Sequence, residues 1–231
     1  MSNNLGQQTK NTARVRSLFV AVLVLACAFG TVTNAVAQNV TPPPTPTGIT
    51  PPEGNTAYAV GHAFGSQGYV CLPDPKTGGT STSWTVNPAR PEATLFVNVF
   101  GQQVQIITHF ASIDANPNGI APNPVALGGN ATWQSSFDSS KVWAAVQAPV
   151  IDHTVVAGTD ASCPNSGSIP CLLLQSIGNQ QGPTGGKFLA NATFVQRLNT
   201  RGGAAPTTAC TVGQTQLQGY TADYFFYRAD Q

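Results

Sequence analysis

The sequence predicts an all-β fold: a single antiparallel β-sandwich or closed β-barrel domain with long Gly/Pro/Asn-rich loops. Three observations predict it. Apolar residues recur with period two in several runs. Clusters of Gly, Pro, Asn and Ser separate those runs, and no window carries a long 3.6-residue apolar period bounded by helix caps. The pattern accommodates roughly eight to ten strands in one sandwich or barrel.

"TLFVNVF" (Thr94 to Phe100) is a dense run of β-forming residues. "QVQIITHF" places Val104, Ile106, Thr108 and Phe110 on one face and Gln105, Ile107 and His109 on the other. "ATWQSSFDSSKVWAAV" (Ala131 to Val146) reads as strand, turn, strand. Asp138 in its turn is placed to accept from backbone N–H groups two residues on. "KFLANATFVQRLNT" and "YTADYFFYR" are two longer runs. "PDPKTGGTSTS", "DANPNGIAPNPVALGGN", "TDASCPNSGSIP" and "GNQQGPTGG" are the breakers between them.

The first 37 residues read as a signal peptide. Lys10, Arg14 and Arg16 precede the apolar stretch "SLFVAVLVLACAFGTV", and "AVAQ" sets small residues before a cut after Ala37. The apolar run falls short of the ~20 residues that a membrane span needs. Residues 38–56 form a proline-rich linker, expected as an extended spacer. Residues 57–231 form the all-β domain, and no membrane span is expected after cleavage. The protein is therefore expected to be secreted, or periplasmic in a two-membrane host.

Cleavage changes the charge. All nine acids remain but only seven bases, a net charge of −2. That balance gives no basic stripe to neutralise phosphates, so no nucleic-acid partner is expected. Charged residues are 8% of the chain while 41% are hydrophobic, which speaks for a folded domain with a neutral polar surface rather than a disordered one.

Four cysteines remain after cleavage: Cys71, Cys163, Cys171 and Cys210. An even count in an exported chain favours two disulfides, and the residues alone leave all three pairings open. There is no CxxC, HxH or HExxH spacing, so no metal site is expected. Neither GxGxxG nor GxxxxGK[ST] occurs, and no cofactor is expected. A GxSxG nucleophile elbow is also missing.

The candidates for chemistry are few. His109 ends a strand, where an imidazole can bind or move a proton. Asp138 and Asp223 are the carboxylates it would need for acid–base work. Trp133 and Trp143 offer large rings to a ligand face, although tryptophan is more often core. Arg197 and Arg201 lie four apart before Gly202-Gly203 and would suit an anion, although turn chemistry explains the rest of that segment. His62 reads as a surface or barrel-end residue. Asn130-Ala131-Thr132 and Asn191-Ala192-Thr193 are glycosylation sequons, the second inside a predicted strand.

Several fragments taken in order carry a resemblance: "GSQGYVCLP", "HFA" at His109, "ATWQSSFDSSKVWA", "CLLLQS", "TFVQRLNTRGGAAPTTAC" and "YTADYFFYR". Together they resemble the domain-of-unknown-function 3455 family of exported bacterial and fungal proteins. In the family pattern a histidine and a tryptophan share one short run. Here His109-Phe110-Ala111 and Thr132-Trp133 match its two ends, and residues 112–131 are inserted between them. The resemblance implies Cys71–Cys210 as one bridge, since both match family cysteines. It implies Cys163–Cys171 as the other, since Cys171 stands at a family tryptophan and Cys163 in an inserted stretch. Some fungal relatives carry a malate dehydrogenase label, but the nucleotide fingerprint and βαβ pattern it requires are missing here.

Two functions are expected on these grounds. The first is a non-catalytic exported module, in the envelope or outside the cell, that binds a glycan or small molecule. The second is a secreted hydrolase acting on an extracellular polymer through a His/Asp site. Convergence of His109, a carboxylate and Trp133 in one pocket would favour the second.

Overall fold

Eight strands succeed one another along the chain: β1 (Asn55–Pro73), β2 (Thr82–Val99), β3 (Gln102–Ser112), β4 (Asn130–Ser135), β5 (Lys141–Val146), β6 (Leu172–Gln180), β7 (Phe194–Gly202) and β8 (Thr215–Ala229). The computed structural model describes residues 40–45, 47–112, 130–146 and 168–230. Each strand pairs antiparallel with the next, and β8 returns to pair with β1, so the sheet is a closed up-and-down barrel. The closing seam runs from Asn55↔Ala229 to Val70↔Thr215. Closure leaves no exposed sheet edge. Among the described residues there is no α-helix, only 3-10 turns at Thr47–Ile49 and Pro75–Thr77.

Alternation sorts the side chains into two cores. On β8, Tyr220, Ala222, Tyr224 and Phe226 join the cluster inside the barrel with Leu95, Ile107, Trp133, Val142 and Val195. Phe225 and Tyr227 point the other way, into an outer cluster with Ile49, Ala57, Cys171, Leu173 and Leu198. The segment before β1 covers that outer cluster. Ile49 is fully buried and Val40 packs beside it. The Ile49 carbonyl accepts from Gln196 Nε2 at 2.6 Å, and Gln196 Oε1 accepts from Tyr227 OH at 2.6 Å. Proline-rich chain lacks the donors to join a sheet but can lie across one. This part of the expected spacer is thus docked on the barrel.

Two expected runs are broken. Leu95 pairs Ile107 while Phe96 pairs Gln105, so Ile106 is an extra residue in β3. Both Ile106 and Ile107 are buried, and the strict alternation expected through Ile106 fails at this bulge. "KFLANATFVQRLNT" is a strand only from Phe194. Its first part is a turn with Leu189, Ala190 and Ala192 buried, and it places Asn191 in an exposed turn rather than a strand. That turn is held from outside: Tyr58 OH donates to the Phe188 carbonyl at 2.7 Å, and Asp138 Oδ2 accepts from Phe188 N at 2.9 Å.

Small residues let the strands approach. A Cβ added at Gly65 of β1 would stand 2.1 Å from the Glu92 carbonyl oxygen, so this position admits only glycine. Cys71 near the end of β1 is bonded to Cys210, in the loop between β7 and β8, with Cα atoms 5.9 Å apart. Cys171 is itself disulfide-bonded. Cys163 lies outside the described residues, as does the expected signal peptide.

Candidate functional site

The hairpin β3–β4 sets His109 directly across from Trp133, and both side chains point into the barrel. Residues far apart in the sequence are thus brought face to face by the strand pairing. Their rings stack with centroids 4.4 Å apart and planes 7° from parallel. Tyr224 from β8 leans on both, at 5.4 Å and 5.6 Å. Such pairing of flat rings adds to the area they bury.

Beside this stack lies a cavity of about 350 Å³ within the barrel. Leu172, Leu174, Ile169, Val86, Ala131 and Val146 supply its apolar wall, and Gln67, Tyr69, His109, Trp133, Arg197 and Tyr224 its polar groups. Eight-stranded barrels have an interior just wide enough to be filled by side chains or to hold one small ligand. Here one part is packed and the other is open. A wider and shallower groove of about 460 Å³ borders Phe64, Glu92, Thr94 and Phe110. It is more open and less apolar, and the more enclosed inner cavity with its larger apolar wall is the better candidate.

The family is decided by extent. The model of the family described as "Protein of unknown function (DUF3455)" matches residues 51–228, from just before β1 to the end of β8. The chain belongs to that family. No curated protein and no solved structure matches it. The matched residues include every strand of the DUF3455 barrel and every polar group of its cavity.

His109 is neutral in this setting. A carbonyl only accepts, so Nδ1 carries the proton that bonds the Thr132 oxygen at 2.9 Å, and Nε2 keeps its lone pair. Burial pushes the imidazole down from 6.5 to about 4; the Thr132 bond opposes this and the Arg197 charge adds to it. Unfolded, the same histidine titrates near its ordinary value. Between the two pKa values the unfolded chain binds more protons, so stability is complete above pH 6.5 and falls as the pH drops toward 4. The expected loss is about 3 kcal/mol. Urea midpoints at pH 7 and pH 4.5 measure it, and His109→Phe is expected to flatten the difference. An equal loss in that variant would place the titration elsewhere. Asp138, held below its ordinary range against the cost of its burial by bonds from Phe188 N, Ser140 and Ser135, acts below this window.

Arg197 of β7 is nearly buried, and its Nε and Nη2 both donate to the Pro170 carbonyl, at 3.0 and 2.9 Å. Among the described residues no carboxylate pairs with it. Arg201 does not join it. The β7–β8 register shifts between Leu198 and Arg201, Asn199 adopts φ 53°, and Arg201 ends exposed. Gly202 and Gly203, at φ 71° and 78°, then turn the chain toward Cys210.

The carboxylates are not at the cavity. Asp138 caps the β4–β5 turn, accepting from Ser140 N at 3.0 Å and Ser140 Oγ at 2.7 Å. Asp223 points outward, where Oδ1 meets His62 Nδ1 at 2.6 Å and Oδ2 accepts from Asn199 Nδ2 at 2.7 Å. His109 and Trp133 therefore converge, but neither Asp138 nor Asp223 converges with them. Trp143, on the opposite face of β5 from Val142 and Ala144, packs over Gly178 instead of the cavity. Tyr224 and Tyr69 escaped the sequence reading, although their inward alternation carried a signal. The pairing of Asp223 with His62 carried none, because it spans the seam that closes the barrel.

Proposed function

We propose that this DUF3455 protein is an exported, non-catalytic barrel that holds a small, largely apolar molecule in its lumen. The single observation that carries the reading is the cavity of about 350 Å³ beside the His109–Trp133 stack, with apolar walls and a few converging polar groups. That composition is the usual one for small-molecule sites, at the small end of their ~300–1,000 Å³ range. A glycan is disfavoured by the leucine and isoleucine wall. The Trp133 indole N–H adds support: it is buried without an acceptor, which leaves a donor for a guest. Ala131→Phe would fill the lumen from its wall. It is expected to abolish the binding of small aromatic probes such as 2-naphthol, read by calorimetry, while the fold persists by circular dichroism. Undiminished binding in that variant would move the site to the outer groove.

Export rests on the charged, apolar and small-residue segments that precede Gln38, and the Cys71–Cys210 bridge fits an oxidising compartment. Amino-terminal sequencing of protein recovered outside the cytoplasm is expected to begin at Gln38. A chain still starting at Met1 would contradict cleavage.

The hydrolase reading now leans on a different pair. His62 is oriented by Asp223 and is 55% exposed, as a surface base would be. Among the described residues no hydroxyl or thiol nucleophile bonds to it, so the binding reading is preferred.

A further inference from the structure

The polar groups left over on the cavity wall are unequal in kind. Arg197 has five N–H donors and spends two on Pro170, so three remain. The Trp133 indole N–H has no acceptor. Tyr224 lines the cavity and its hydroxyl shares one bond of 3.0 Å with that of Tyr220 behind it. Against these donors stand the His109 Nε2 lone pair, the Gln67 side-chain carbonyl and the tyrosine hydroxyl oxygens as acceptors, all of them neutral. The wall thus carries one fixed positive charge and no carboxylate among the described residues. A buried cation satisfied by a lone carbonyl is costly unless an anion joins it.

We infer that the guest is an organic carboxylate with a flat apolar body: its charge is met by the free edge of Arg197 and its body lies along Leu172 and Leu174 near the Trp133 ring. This rests on the lumen-binding reading above and adds the charge of the ligand to it. Guanidinium and carboxylate match in geometry as well as in sign, and the apolar wall disfavours a small inorganic anion.

The test compares 2-naphthoate with 2-naphthamide, which keeps the shape and removes the charge. Calorimetry on the cleaved chain at pH 7 is expected to show the acid binding at least ~10-fold tighter. Arg197→Gln is expected to weaken the acid until the two agree, and Arg197→Lys to keep most of the preference. Should Arg197→Gln not fold, the wild-type ratio and the Lys variant still decide. Equal affinity of acid and amide in the wild type would overturn the charge assignment and leave the lumen site standing. Failure of acid, amide and 2-naphthol alike to bind would overturn the lumen site itself.

Discussion

Replacing Cys71 and Cys210 together with alanine is expected to cost about 5 kcal/mol of stability in the chain-entropy model. The bridge spans 139 residues and encloses β2 to β7, so its loss frees a long loop in the unfolded state. Little is lost in the native contacts. The same strand end is also held by backbone bonds, Cys71 N to the Gln214 carbonyl at 2.8 Å and Gly213 N to the Cys71 carbonyl at 2.9 Å. Trp84 Nε1 further pins the loop through the Thr208 carbonyl at 2.9 Å. The folded barrel is therefore expected to keep its spectrum while its melting temperature falls by roughly 10–20 °C. A fall of only a few degrees would mean that the unfolded chain is already compact around this pair. Peptide mapping without reduction is expected to recover Cys163–Cys171 as the second bridge.

Trp133→Ala is the second large effect, expected at about 3–5 kcal/mol. The indole is fully buried and touches three rings: His109 at 4.4 Å, Tyr224 at 5.6 Å and Phe226 at 6.3 Å. Its removal would merge a new void with the cavity already beside it, so neighbours have little to collapse onto. Trp133→Phe keeps a ring in contact and also removes the unpaired N–H, and is expected to cost under about 2 kcal/mol. Urea denaturation of both variants measures the difference. A loss below ~1 kcal/mol for the alanine variant would mean that the stack is not part of the packed interior.

The strands around these residues also show how far the sequence is legible. Alternation around Trp133 and along "YTADYFFYR" places the inward residues well, because β4, β5 and β8 are regular where those residues lie. It fails where a strand carries an extra residue. The β3 bulge at Ile106 and the shift after Leu198 each reverse the face of the residues beyond them, and no local composition marks either. That is why Arg197 and Arg201, four apart, do not share a site. Closure is equally hidden. A sandwich and a barrel present the same runs, and only the pairing of β1 with β8, the first and last strands, separates them. The same seam sends Asp223 to His62 instead of His109. The resemblance to the family carried the Cys71–Cys210 pair, which spacing alone leaves as one of several choices.

The proposed binding site is the barrel interior. The most direct measurement is a crystal structure of the cleaved chain grown with 2-naphthoate or 2-naphthol. A flat ring is expected inside the barrel, beside Trp133 and against Leu172 and Leu174. A lumen filled by its own side chains, with the probe only in the outer groove by Phe64 and Phe110, would contradict it.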